Sequence, residues 1–118
     1  MLKNKKREIP LSAPDINKQD RKQVLNVLKT RNLSRGNKIK EFEAGFAKYI
    51  GVKHAIATNS GTSALHLIIR ALGLKKGDEV ITTPFSFIAS SNCLLMEEVK
   101  PVFVDIDILT YNINPDLI

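Results

Sequence analysis

Tryptophan is absent from this 118-residue chain, and cysteine occurs once, at Cys93. A lone cysteine excludes an internal disulfide and a structural zinc site built from cysteines, so a reducing compartment fits. Glycine and proline are sparse, at 6 and 5 residues, which removes collagen-like and low-complexity classes. Aromatics make up 6%, yet apolar residues reach 43% against 25% charged, too apolar a balance for a disordered chain. No apolar run approaches the ~18 residues of a membrane helix, so no span is expected. Met1 to Pro10 are basic without a following apolar signal core, which makes the cytoplasm the expected compartment. The length suits one domain, burying roughly two thirds of the surface its unfolded chain exposes.

Charge of one sign is scarce in each half. Residues 1–54 hold 14 Lys+Arg and 5 Asp+Glu, whereas residues 55–118 hold 4 and 7. The overall net charge of +6 is therefore an N-terminal excess laid over a slightly acidic remainder. Lys3, Lys5, Lys6 and Arg7 read as a solvated arm. Nucleic-acid readers combine such charge with a recognisable module or stacking aromatics, and neither is visible.

Helical spacing of Val24, Leu25 and Leu28 predicts an amphipathic helix over 17–30, with Asn17 or Asp15 as N-cap. A second helix follows, capped by Asn37, with Ile39, Phe42, Phe46, Tyr49 and Ile50 in register and Gly51 as its stop. Strands are predicted at 54–58, 79–83 and 101–105, with helices at 62–72 and 86–97 between them. Alternating strands and helices joined by short connections predict an α/β fold with a parallel sheet, whose ligand side lies at the carboxyl ends of the strands. Asn114-Pro115-Asp116 is a helix-start signal at the end of the chain, and a helix that begins there points to truncation from a longer polypeptide.

Three segments carry chemistry at that ligand side. Asn59-Ser60-Gly61-Thr62-Ser63 runs from a strand into a helix, where unpaired amides and the helix dipole suit an anion and Gly61 lets a phosphate approach. Thr62 and Ser63 hydroxyls could add donors, although plain N-capping explains the same residues. The turn is neither a Walker A loop nor a Gly-x-Gly-x-x-Gly turn, which counts against ATP and NAD. Thr83-Pro84-Phe85-Ser86-Phe87 offers two rings that could form a platform for a flat ligand, while spacing alone favours core. Asp105 and Asp107 could form an acid pair, but without further ligands loop capping is the simpler role. His54 and His66 lack zinc spacing, and no metal site is expected.

In order, these segments resemble the sugar-nucleotide aminotransferases of the DegT type, pyridoxal-phosphate enzymes with the aspartate aminotransferase-like fold. The resemblance runs from Ile9-Pro10-Leu11-Ser12-Ala13-Pro14 and Asn32-Leu33-Ser34-Arg35-Gly36 through Asn59-Ser60-Gly61-Thr62-Ser63 and Thr83-Pro84-Phe85-Ser86-Phe87 to Pro101-Val102-Phe103-Val104-Asp105. It implies N-terminal helices followed by the start of a mainly parallel large-domain sheet, with residues 1–14 as a basic arm and 15–118 as an incomplete large domain.

The resemblance also implies that Gly61, Thr62 and Ser63 hold the phosphate of pyridoxal 5′-phosphate, that Phe87 stacks on its ring, and that Ser34 and Gly36 lie near the sugar. It implies transfer of an amino group, from glutamate, to a nucleotide-linked keto sugar by a homodimer. The family's Schiff-base lysine and its acid partner have no match here, so this chain is expected to be inactive alone. A sugar dehydratase of the same family, or a non-catalytic truncated or regulatory relative, are the competing expectations. A basic nucleic-acid binder is the third, and would show salt-sensitive binding lost with the arm.

Overall fold

The computed structural model describes residues 9–118, so the arm cations Lys3 to Arg7 lie outside the described residues. The chain divides into two units, the first ending at Ala55 and the second spanning Ile56–Ile118.

The first unit holds helices α1 (Lys18–Leu28) and α2 (Asn37–Ile50). Asn17 starts α1 by a reciprocal cap: its Oδ1 accepts from the Gln19 and Asp20 amides at 2.7 and 3.1 Å, and the Asp20 carboxylate accepts from the Asn17 amide at 2.9 Å. The cap of α2 is Gly36, not the expected Asn37. Gly36 keeps an extended backbone while its carbonyl accepts the Ile39 amide at 3.2 Å, and Asn37 is already helical. Gly51 ends α2 with φ 79°, a left-handed stop. The predicted apolar faces form, but the α1 face of Val24, Leu25 and Leu28 stays exposed. On α2, Phe42 and Phe46 pack at 5.8 Å between ring centroids.

The second unit is a parallel βαβ arrangement. Helix α3 (Gly61–Ala71) leads to β1 (Glu79–Thr82), and α4 (Ala89–Leu95) crosses over to β2 (Lys100–Phe103). Register runs from Glu79 opposite Lys100 to Thr82 opposite Phe103, and the Val104 amide extends the ladder to the Thr82 carbonyl at 2.9 Å. Between the strands and helices sit Ile69, Cys93, Leu94 and Val99, with Leu74 and Val80 packed against them. A short 3-10 turn, Pro115–Leu117, begins where Asn114 Oδ1 accepts the Asp116 amide at 2.9 Å, as the sequence signal predicts.

Two expectations are corrected. Residues 54–58 are not a strand of the sheet, which among the described residues contains β1 and β2 alone. β-Propensity marks residues that suit a pleated surface, but a strand also needs a neighbour to complete its ladder. Helix α4 starts at Ala89 rather than Ser86, because Thr83 to Phe87 are taken up by a turn in which the Phe85 amide donates to Thr83 Oγ1 at 3.2 Å.

Candidate functional site

The pairing of His66 with Glu97 fixes which end of α3 faces which edge of the sheet. His66 Nε2 lies 2.5 Å from Glu97 Oε1, and the Arg70 guanidinium stands 3.8 Å from the same oxygen. Glu97 precedes β2 and so sits at the sheet's amino edge. The later turns of α3 therefore lie at the amino edge, and its first turn points to the carboxyl edge, where the loops after β1 and β2 also emerge.

At that first turn, Ser60 is the N-cap. Its Oγ accepts the Ser63 amide at 3.1 Å, and its carbonyl accepts the Ala64 amide at 3.1 Å. The Ser63 hydroxyl donates to Asn59 Oδ1 at 2.7 Å and lies 3.0 Å from Ser60 Oγ. Thr58 Oγ1 donates to the Ser60 carbonyl at 2.9 Å, steadying the entry. Capping thus occupies the Ser63 amide and hydroxyl, whereas the amides of Gly61 and Thr62 carry no partner among the described residues. A Cβ built on Gly61 would meet nothing within 4 Å, and its φ is not left-handed. Nothing in the fold itself requires glycine there, and helix propensity disfavours it. What the missing side chain provides is open space in front of two free N–H groups at the positive end of a helix, a geometry that fits a phosphate.

The neighbouring loop presents aromatic surface. Phe87 is 76% and Phe85 61% exposed, so the core placement that spacing alone favours is corrected, while the resemblance assigns Phe87 to the ligand: the turn after β1 lifts both rings off the sheet instead of pointing them into it. Phe85 stacks on Tyr111 from the loop after β2, with centroids 5.9 Å apart and planes 30° apart. In that second loop Asp107 Oδ1 accepts the Leu109 and Thr110 amides at 3.1 and 2.8 Å. These bonds, the Thr110 amide foremost, hold the Asp107 carboxyl below its ordinary pKa. Loop capping, the simpler reading of this acid, is what Asp107 does. Asp105 Oδ1 accepts the Ile106 amide at 2.8 Å. Among the described residues no group of three or more His, Cys, Asp or Glu could hold a metal ion.

Ser34 and Gly36 belong to the first unit. Arg35 between them has φ 51°, and a Cβ on Gly36 would stand 3.0 Å from the Asn32 carbonyl, so this loop does need its glycine. Gly36 lines a groove of about 420 Å³ that mixes amide side chains such as Gln23 and Asn26 with apolar Val27, Leu33 and Ile39.

The second unit has three lysines, Lys75, Lys76 and Lys100. All three lie at the amino edge, where Lys76 pairs with Glu98 at 2.9 Å and Lys100 with Glu79 at 2.6 Å. Sequence reasoning missed the Ser60 cap, the His66–Glu97 pair and the Phe85–Tyr111 stack. Ser60 was legible as a capping residue before a helix, but the two pairs join residues 31 and 26 positions apart, which no local pattern encodes.

Comparison with known proteins agrees with this arrangement. Over 115 residues the chain is 42% identical to the spore coat polysaccharide biosynthesis protein SpsC of Bacillus subtilis, covering 98% of this chain and 30% of that protein. It is 45% identical over 107 residues to the GDP-perosamine synthase of Caulobacter vibrioides, covering 90% and 29%. The PLP-form of Spr1654 from Streptococcus pneumoniae, provisionally named a sugar aminotransferase, superposes with a TM-score of 0.87 at 35% identity, covering 92% of this chain and 28% of that one. The chain therefore spans less than a third of the length of these relatives. Helices leading into a parallel βαβ unit, with a capped Ser-Gly-Thr-Ser turn at its carboxyl edge, are the first part of an aminotransferase-type fold, and a family model matches residues 14–118: the chain belongs to the DegT/DnrJ/EryC1/StrS aminotransferase family.

Proposed function

We propose that the protein carries out pyridoxal-phosphate-dependent transamination. An amino group passes from glutamate to a nucleotide-linked keto sugar, making amino sugars for a polysaccharide or glycoconjugate in the cytoplasm, and the active form is a homodimer. The observation that carries this reading is the α3 start, where two free amides face open space at Gly61. The names of the relatives support the substrate class: one is a GDP-perosamine synthase and another a spore coat polysaccharide biosynthesis protein.

In this reading Gly61 and Thr62 hold the cofactor phosphate through their amides, and the Thr62 hydroxyl adds a donor. The Ser63 hydroxyl joins them by turning away from Asn59. Phe87 covers one face of the pyridine ring and excludes water from it, and Ser34 and Gly36 border the sugar. Bound pyridoxal phosphate supplies an electron-withdrawing ring that stabilises negative charge on the substrate carbon. With its three lysines at the opposite edge, the second unit contributes binding and orientation rather than proton transfer.

Two measurements test this. In the 118-residue chain, phosphate esters are expected to shift the Gly61 and Thr62 amide resonances while the chain alone turns nothing over. In the whole protein, glutamate and a GDP- or UDP-linked keto sugar should yield 2-oxoglutarate and amino sugar in equal amounts. Loss of a sugar hydroxyl without net amino transfer would assign dehydratase chemistry instead. Phosphate binding that leaves Gly61 and Thr62 unshifted would overturn the site.

A further inference from the structure

The loops after β1 and β2 meet through one pair of rings, Phe85 and Tyr111, stacked at 5.9 Å. Tyr111 reaches this position from a left-handed backbone, φ 58°, which residues with a Cβ adopt uncommonly. Its surroundings enforce that conformation. The Tyr111 amide donates to the Asp107 carbonyl at 2.8 Å, and the Asp107 carboxylate gathers the Leu109 and Thr110 amides just before it. An antiparallel bridge between Ile106 and Ile113 closes the loop, and the Asn114 amide donates to the Asp105 carbonyl at 2.9 Å. Phe85 is held in its own tight turn by Thr83, and the Ser86 and Ser90 hydroxyls lie 3.0 Å apart at the start of α4. Phe87 follows Phe85 by two residues in the same connection between β1 and α4, and its carbonyl accepts the Ser90 amide at 3.0 Å.

We propose that Tyr111 is a positioning residue for the aromatic platform: by stacking on Phe85 it fixes the turn that presents the Phe87 ring to a flat, phosphate-bearing ligand. This rests on the assignment of Gly61, Thr62 and Phe87 made above. The stacking face does the work and the phenolic hydroxyl is dispensable, so phenylalanine at this position should serve as well.

The test titrates the 118-residue chain with two probes, inorganic phosphate and pyridoxine 5′-phosphate, and follows the Gly61 and Thr62 amides. Both probes carry the phosphate; only the second carries a pyridine ring, and it has no aldehyde to react with lysines. The change in the ratio of the two affinities between the unaltered chain and Phe87→Ala reads the ring contact. A stacking contribution makes that change about threefold to tenfold, with the unaltered chain favouring the ring. Phe87→Ala sets the ratio without a platform. Tyr111→Ala and Phe85→Ala are expected to lower it to the same level, with Tyr111→Ala leaving inorganic phosphate affinity unchanged and Tyr111→Phe restoring the full ratio.

The proposal is overturned if Tyr111→Ala keeps a ratio that Phe87→Ala loses, or if Tyr111→Phe fails as Tyr111→Ala does. A variant that no longer binds inorganic phosphate is replaced by Tyr111→Leu, which keeps bulk without a ring and is expected to give the Phe87→Ala ratio. If neither probe moves Gly61 or Thr62 in the unaltered chain, the phosphate site itself is wrong. A ratio that Phe87→Ala leaves unchanged, with both amides moving, refutes the platform and leaves the phosphate site standing.

Discussion

Ser60 performs one task that can be separated from the task assigned to its neighbours. Its Oγ accepts the Ser63 amide at 3.1 Å, one cap bond on a helix that is also held by the packing of Ile69 and by the pairing of His66 with Glu97. Ser60→Ala removes that bond and leaves an exposed amide that water can reach, so the loss should be about 1 kcal/mol, the usual size for an N-cap. Ser60→Asp restores the cap, because aspartate ranks with serine at this position, and also complements the helix dipole. Stability should return to within about 0.5 kcal/mol of the native value.

Phosphate binding should respond in the opposite way. A carboxylate placed about 5 Å from a phosphate dianion is repelled by about 1.7 kcal/mol even at the dielectric constant of water, or about fifteenfold in affinity. The assay is urea unfolding followed by far-UV circular dichroism, paired with the amide titration of Gly61 and Thr62. The aspartate variant should be as stable as the native chain and bind phosphate at least tenfold more weakly. An aspartate variant that binds phosphate undiminished would show that the anion does not sit at this turn. An alanine variant as stable as the native chain would show that Ser60 does not cap α3.

Gly61→Ala should leave the fold intact or slightly firmer, since the added Cβ meets nothing within 4 Å, while phosphate affinity falls; equal or tighter binding would contradict the open-space argument. His66→Leu removes the nearer partner of a half-buried Glu97 and should cost about 1 kcal/mol after solvent screening, with His66→Gln recovering much of it; equal unfolding midpoints for all three would show that the pair holds nothing. Asp107 has a folded pKa below its unfolded one. Its contribution is therefore present above the ordinary carboxylate range and is lost as pH falls through the lower folded value. Below about pH 4 the exchange protection of the Leu109 and Thr110 amides, taken against their intrinsic rates at each pH, should fall, and Asp107→Asn should remove that pH dependence of the protection. A loop whose exchange protection ignores pH in that window would argue against carboxylate capping.

Much of this arrangement was legible in the chain itself. Asn17, Gly51 and Asn114 act at helix ends as their types dictate, because caps depend on a few adjacent atoms. The parallel order of β1, α4 and β2 followed from alternating patterns and short connections. The segment 54–58 carried the same local pattern, yet a strand depends on a partner that lies far off in sequence. Phe85 and Phe87 show the same limit from the other side: hydrophobicity argued for burial, while Pro84 and the Thr83 hydroxyl bend the chain so that both rings face out. Tyr111 gave no local sign of its role, since its backbone conformation is imposed by Asp107 and its partner lies one strand away.

The single thiol has a practical consequence. Cys93, on α4, is 2% exposed in the cluster with Ile69, Leu94 and Val99, and its sulfur lies 3.6 Å from the Ser90 carbonyl. A labelling reagent can reach it only when the second unit opens, and no other cysteine in the chain competes for the reagent. The rate of its modification is therefore a clock for that opening, readable on unlabelled protein in dilute solution. A ligand that closes the α3 turn should slow the clock in proportion to the fraction of chain it occupies, turning a packing residue into a binding assay.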